Sequence, residues 1–215
     1  MKLIVKKFIF NPIQENTYIV YDEEKNAVII DPGCYYKEEK LELVQFIEKN
    51  KLKIKALLNT HGHIDHVLGN AFVIEKYNVD FYLHEKDLET LNAVSSYAHL
   101  YGFEAYETSP QPTKWLNDGD ELLFDTMGFS VIFGPGHAPG HVAFYNKEND
   151  ILICGDILFK GSFGRVDLPG GNIDILKNTI HTKIFTLPEE TIVYSGHGDA
   201  TQIGIEKKTN YILQF

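Results

Sequence analysis

The run Thr60-His61-Gly62-His63-Ile64-Asp65-His66 places four side chains able to bind a transition metal within six residues. Three more candidates lie far downstream: His137 in Gly136-His137-Ala138-Pro139-Gly140-His141, Asp156 in Cys154-Gly155-Asp156, and His197 in Ser195-Gly196-His197-Gly198-Asp199. Imidazole and carboxylate donors without obligatory thiolates suit Zn²⁺ first, with Mn²⁺ or iron as other candidates. Five imidazoles and two carboxylates can fill the inner coordination of two ions. Two ions roughly 3.5–4 Å apart can share a water, bring its pKa toward neutrality and aim the resulting hydroxide at an acyl carbon. Asp65 can accept a hydrogen bond from that hydroxide and orient it. The residues therefore predict a two-metal hydrolytic centre. It needs no serine or cysteine nucleophile, and the chain has no Gly-x-Ser-x-Gly elbow.

Gathering such distant ligands needs a fold that collects strand ends at one edge. Each ligand segment follows an apolar stretch that reads as a strand. His61 and His63 are two apart, so in an extended segment they point the same way, and Gly62 between them permits a close approach. Asp65 and His66 fall where the next helix should begin, with Asp65 placed to cap it and favoured by the helix dipole. Strands are expected over 3–10, 16–21, 26–31, 54–59, 80–83, 121–125, 129–133, 142–146, 151–154 and 191–194, from their β-branched and aromatic content. Helices are expected over 37–49, 67–77, 86–100, 174–185 and 203–213, from apolar periodicity. Segment 104–113 holds Pro110 and Pro112 and reads as irregular. The order of strands and then mixed β and α, given twice, suggests two sheets packed face to face with helices outside.

At 215 residues with 44% hydrophobic content the chain suits one domain, residues 1–215, with a sizeable core. A formal net charge of −10 argues against a non-specific nucleic-acid or anionic-membrane binder and does not exclude a small anionic substrate. Cys34 and Cys154 make no disulfide framework, and Cys154, in an apolar run, reads as a buried free thiol. No run approaches the ~20 apolar residues of a membrane helix, and the start lacks a signal-peptide core. A cytoplasmic location is the default expectation. His84, His99 and His181 read as structural. Tyr97, Tyr101 and Phe103 either line a substrate channel or simply pack. The chain carries no signature of oligomeric state.

His-x-His-x-Asp-His resembles the signature of the metallo-β-lactamase superfamily, and His137, Asp156 and His197 fall in the order and loop contexts of its remaining motifs. The resemblance covers nearly the whole chain. It implies an α+β fold, a four-layer αββα sandwich with the metals at one edge between the two sheets. It also implies that His61, His63 and His137 hold one ion, that Asp65, His66 and His197 hold the other, and that Asp156 bridges them. Asp65 and Asp156 then carry the catalytic roles. His141 reads as an outer partner orienting a metal histidine or as packing, with direct ligation in place of His137 as the alternative; the superfamily pattern favours His137.

Within that superfamily the chain is most similar to the glyoxalase II (hydroxyacylglutathione hydrolase) group. The likeness lies in Gly155-Asp156-Ile157-Leu158-Phe159, in Glu15-Asn16-Thr17-Tyr18 and in Asp31-Pro32-Gly33. It implies hydrolysis of a small-molecule thioester such as S-lactoylglutathione, or a related ester. Arg165 stands where that group has a basic residue that holds glutathione; the other reading is a salt bridge with Asp167. Lys160 is either a second cation at the mouth or a solvated loop lysine. The chain departs from the group in two ways. It has no C-terminal helical domain, as in short single-domain members, and Asp167 stands where a tyrosine is expected. The runner-up is a mono-iron persulfide dioxygenase on the same fold. A metal-bound interaction module without turnover is the third reading. The lack of an export signal argues against a true β-lactamase.

Overall fold

The structure is a computed structural model and describes residues 2–215. The first half runs β1 (Ile4–Phe10), β2 (Glu15–Tyr21), β3 (Asn26–Ile30), α1 (Lys37–Asn50), β4 (Lys53–Leu58), α2 (Ile64–Val67), α3 (Asn70–Tyr77), β5 (Asp80–His84), α4 (Leu88–Tyr97) and β6 (Lys114–Leu116). Its six strands form one sheet in sequential order. The first three pair antiparallel and the rest parallel.

The second half runs β7 (Glu121–Phe124), β8 (Met127–Phe133), β9 (Val142–Asn146), β10 (Ile151–Gly155), β11 (Leu158–Phe159), β12 (Ser162–Phe163), α5 (Ile173–Thr179), β13 (Ile192–Ser195), β14 (Thr201–Gln202) and α6 (Ile203–Thr209). The second sheet has the order β14-β13-β10-β9-β8-β7, and β11 and β12 form a separate small hairpin. Among the described residues no helix is long and apolar enough to cross a membrane.

Strand periodicity explains the layers. Alternate residues of a strand face opposite sides. Tyr18, Val20, Val28, Ile30, Ala56 and Leu58 of the first sheet meet Phe129, Val131, Phe144 and Ile153 of the second in the central core. The intervening Ile19, Ile29 and Leu57 face outward onto Leu43 and Ile47 of α1, Val73 of α3 and Leu91 and Val94 of α4. On the far side, Ala143, Leu152, Cys154 and Val193 face Leu176 of α5 and Ile203 of α6. Both faces of each inner strand are covered, which is why β2, β3, β9 and β10 are buried throughout. The αββα sandwich expected from the sequence is the fold found. Burying one large aliphatic or aromatic side chain contributes about 1.5–3 kcal/mol, so three stacked cores stabilise the scaffold that carries the loops at its edge. Cys154 is a buried free thiol in the third core, pushed up to about 12 by burial.

Several elements differ from the sequence reading. The helix expected over 67–77 is two: α2 begins at Ile64, and the chain breaks at Gly69, whose N–H bonds to Pro32 O at 2.7 Å before α3 starts. A side chain at Gly69 would run into Cys34 Sγ and Pro32 O. Asp65 does not cap the helix, because His63 is the N-cap residue and makes no side-chain cap bond. The helix expected over 86–100 has 3₁₀ turns at both ends, Glu85–Asp87 and Ala98–Tyr101. That over 174–185 ends in a π turn, Ile180–Ile184. The closing helix breaks at Asn210, whose extended backbone (φ −64°, ψ 142°) starts a 3₁₀ turn, Tyr211–Gln214. Strands β6, β11, β12 and β14 were not foreseen; at two or three residues each, they carry too little periodicity to read.

Candidate metal centre

Four loops at one edge of the sandwich converge. The turn after β4 delivers His61 and His63, and α2 delivers Asp65 and His66. The loop between β8 and β9 delivers His137, and the loops after β10 and β13 deliver Asp156 and His197. Hydrogen bonds between the sheets draw these loops together. Val142 N–H donates to Thr60 O at 2.8 Å, and Asn16 N–H to Gly196 O at 2.7 Å. Tyr18 Oη donates to Ser195 O at 2.6 Å. Gly155 and Gly196 admit the close packing. Gly155 has φ +49°, and a β-carbon there would strike Thr60 and His141; one at Gly196 would strike Asp156 Oδ1 and His66.

All seven residues named from the sequence come together, in two groups. One is His61, His63 and His137; the other is Asp65, His66 and His197; in each, one donor atom per residue lies within 4.8 Å of the others. Asp156 sits between them. Its Oδ2 is 3.5 Å from His137 Nε2 and 3.6 Å from His197 Nε2, and its Oδ1 is 3.5 Å from His66 Nε2.

The hydrogen bonds behind the rings fix which nitrogen faces inward. His137 Nδ1 donates to Arg165 O at 2.6 Å and His197 Nδ1 to Gln14 O at 3.2 Å. A carbonyl can only accept, so each Nδ1 carries the hydrogen and each Nε2 turns a lone pair to the centre. His66 Nδ1 donates to Asp31 Oδ2 at 3.2 Å. Thr60 Oγ1 donates to the same Oδ2 at 2.6 Å and lies 3.0 Å from His61 Nδ1, from which it accepts. His63 faces the centre through Nδ1, 2.9 Å from His137 Nε2. His61 Nε2, His66 Nε2 and Asp156 Oδ1 are buried without a hydrogen-bond partner. Buried polar atoms are rarely left so. Orphaned lone pairs converging from nitrogen and oxygen donors are the arrangement that divalent transition metals fit.

The electrostatics divide along the same lines. Burial, reinforced by neighbouring imidazoles, holds His61 and His141 well below the usual histidine range and His63 at about 3. Neutral imidazole is the ligating form. For His66 burial acts downward, but the Asp65 and Asp156 carboxylates outweigh it and raise the ring. His197 is raised in the same sense by Asp65 and Asp156 against burial. Burial would lift Asp65 and Asp156, yet the facing imidazoles hold both below the ordinary carboxylate range. A pocket that keeps two carboxylates ionised out of water is set up for cations.

Several residues outside the seven donors serve the centre. Asp31 accepts from Thr60 N–H at 2.7 Å and Asn59 Nδ2 at 3.2 Å besides Thr60 Oγ1 and His66, so its oxygens are filled and it anchors rather than ligates. Asp87 accepts from Gly62 N–H and, at 2.8 Å, from Gly140 N–H, tying the His61–His63 turn to the His137 loop. Glu15 is fully buried behind His66, with Oε1 4.0 Å from Nδ1, and burial raises its carboxyl well above the usual value. Only the Asp31-Pro32-Gly33 and Glu15-Asn16 motifs hinted at two of these; Asp87 had no sequence signal. His141 stacks on His61 at 4.5 Å, and its Nε2 accepts from Asp156 N–H at 3.0 Å, so it positions Asp156 from behind.

A cleft of about 1100 Å³ opens over Asp65, Asp156 and His197. Tyr97 and Tyr101 line it, whereas Phe103 is buried in the core against Tyr35. Phe159 and Phe163 of the β11–β12 hairpin form the facing wall, and Phe159 packs edge-on to His197 at 5.9 Å. Gly170 also lines the cleft, beside Pro139. Arg165 reaches the cleft, but its Nε and Nη2 each lie 2.7 Å from Asp167. Lys160 is exposed, 3.6 Å from Asp199. His84 stacks on Phe133 and His181 packs on Phe185, both outside the centre.

Comparisons with known proteins agree with this geometry. The sequence model of the metallo-beta-lactamase superfamily matches residues 10–197. The hydroxyacylglutathione hydrolase GloC of Haemophilus influenzae is 37% identical over 202 residues, covering 93% of each chain. Among solved structures, the BLEG-1 B3 metallo-beta-lactamase is 37% identical with a TM-score of 0.89, covering 99% of this chain and 100% of that one. TTHA1623, solved in a di-iron-bound form, is 38% identical with a TM-score of 0.85, covering 96% and 99%.

Proposed function

The chain belongs to the metallo-β-lactamase superfamily, and from that premise we propose that this metal-dependent hydrolase cleaves a thioester. His61, His63 and His137 would hold one divalent ion, Asp65, His66 and His197 a second, and Asp156 both. Zinc is the metal that the donor set suits first, with iron or manganese also accommodated. The observation that carries the reading is the placement of Asp156, whose two oxygens face imidazoles of both groups at 3.5–3.6 Å. The name of the Haemophilus influenzae relative supports the thioester.

When bound, the ions supply an acidified water and an electrophile for the carbonyl oxygen. The chain's own residues do the rest. Asp65, ionised and 3.1 Å from His197 Nε2, accepts a hydrogen bond from water entering between the groups and sets its direction. His141 locks the Asp156 backbone, and Asp31, Thr60, Arg165 O and Gln14 O lock the rings, so that little rearrangement is needed during reaction. Phe159 packs edge-on against the His197 ring and steadies it on the cleft side. The water oxygen forms a bond to the acyl carbon, the C–S bond breaks with its electron pair leaving on sulfur, and a water proton ends on the thiol.

The test is hydrolysis of S-D-lactoylglutathione and simple thioesters by metal-reconstituted protein, with Asp156→Ala as control. Loss of thioester that vanishes in the control is the expected result. Metal-loaded protein that leaves every thioester intact, or that instead consumes oxygen with glutathione persulfide, would overturn it. The likeness to BLEG-1 puts a second class, the β-lactam amide, in the same panel; nitrocefin cleavage faster than thioester cleavage would favour it.

A further inference from the structure

The cleft walls are apolar where a substrate must lie. Tyr97, Leu100, Tyr101, Phe159, Phe163 and Leu168 face the cavity, and Leu100 and Tyr101 remain 75% and 54% exposed. Large exposed apolar side chains grouped at a concave site are the usual lining of a ligand pocket. At about 1100 Å³ the cavity is far larger than a lactoyl group requires.

The guanidinium at the mouth is already answered within the chain. Outside the metal centre the charged wall residues are Lys86, Glu89 and Arg165. Lys86 Nζ lies 4.9 Å above the Phe133 ring. Arg165 presents Nε and Nη2 to the two oxygens of Asp167, 2.7 Å each, in the bidentate fork that a substrate carboxylate would need. The pair is exposed and contributes little to stability. Its effect is competitive: a carboxylate tethered two residues away stands at an effective concentration of roughly millimolar or more. A substrate carboxylate must displace it, whereas an uncharged group has nothing to displace.

We propose that the cleft selects thioesters whose thiol portion is uncharged and apolar, and that Asp167 sets this preference by occupying the guanidinium of Arg165. The proposal rests on the hydrolase reading above and names its substrate class. It is tested with a matched pair, the S-phenylacetyl thioesters of N-acetylcysteine and of N-acetylcysteinamide, which differ only in one carboxylate. The expected kcat/KM of the metal-loaded protein is about tenfold higher for the amide, one factor of ten being about 1.4 kcal/mol. Asp167→Asn should raise the carboxylate-to-amide ratio about tenfold, mainly through KM. A wild-type preference for the carboxylate, or a ratio untouched by Asp167→Asn, would overturn the proposal. Should neither thioester turn over, that outcome counts against the hydrolase reading, whose own test is the full thioester panel, and not against the preference. The non-hydrolysable S-phenethyl thioethers then read the preference through binding, by displacement of neutral N-phenyl-1-naphthylamine. Tighter binding of the amide is again expected, and equal binding of the two thioethers would overturn it.

Discussion

His66 meets Asp31 on the side of its ring away from the cleft, Nδ1 to Oδ2 at 3.2 Å. That contact turns Nε2 toward Asp65 and Asp156, 3.6 and 3.5 Å away. Asp31→Asn removes the charge behind the ring while keeping its size. Metal affinity is expected to fall about 10–100-fold, measured by competition with a chelator, with far-ultraviolet circular dichroism unchanged. Affinity equal to wild type would show that the anchor is dispensable.

Asp156→Ala removes the one carboxylate that faces both histidine groups. Bound metal, measured by elemental analysis, is expected to drop from two ions to one or none per chain, and thioester turnover by about 10³-fold or more. Retention of full turnover would remove Asp156 from the shared position.

Asp87→Ala leaves the Gly62 and Gly140 N–H groups buried without acceptors. Each unpaired group costs about 1–3 kcal/mol, so the melting temperature of chelator-treated protein should fall by about 4 °C or more. An unchanged melting temperature would mean that water replaces the carboxylate.

Acid should destabilise the metal-free protein through its neutral histidines. His61 and His141 are held well below, and His63 at about 3, whereas the unfolded chain takes up these protons near pH 6.5. Stability from these three is full above pH 6.5 and declines as pH falls below it, because only the unfolded state then binds the protons. His66 and His197, raised by Asp65 and Asp156 against burial, act oppositely, and their contribution is lost as pH rises. The melting temperature of chelated wild type should fall from pH 6.5 to 4.5, and less steeply in His141→Gln. Parallel curves for the two proteins would refute the assignment to His141.

Glu206 accepts from Thr201 Oγ1, Gly161 N–H and Asn210 Nδ2, and Asn210 donates on to Phe159 O and Ser162 O. These bonds brace the hairpin that carries Phe159 and Phe163. Glu206→Ala should raise KM for an apolar thioester several-fold more than it lowers kcat. An equal change in both would place its effect on the metal centre instead.

What could be read from the sequence follows chemical necessity. The donor residues that gather at the edge were legible because a metal centre would demand those residue types, and the sandwich was legible because β2, β3, β9 and β10 must be apolar on both faces. The supports were not. Asp87 and Glu206 look like ordinary solvated acids, the Asp31-Pro32-Gly33 motif marked Asp31 without showing what it holds, and all three roles depend on distant partners, as Asp87 depends on Gly140 fifty-three positions away. The break at Gly69 was hidden because the apolar rhythm runs through it, and what marks it is a contact distant in sequence, the Gly69 N–H bond to Pro32 O.

The bond from His197 to Gln14 joins positions 183 residues apart. During synthesis the His61 run therefore leaves the ribosome long before Asp156 and His197 exist. Neither the placement of Asp156 between the two groups nor the second group itself can form until translation has passed residue 197 and the two sheets have closed. Any metal caught earlier meets a weaker, partial set. A product that stops before residue 197 lacks part of the second group and cannot gather the full donor set.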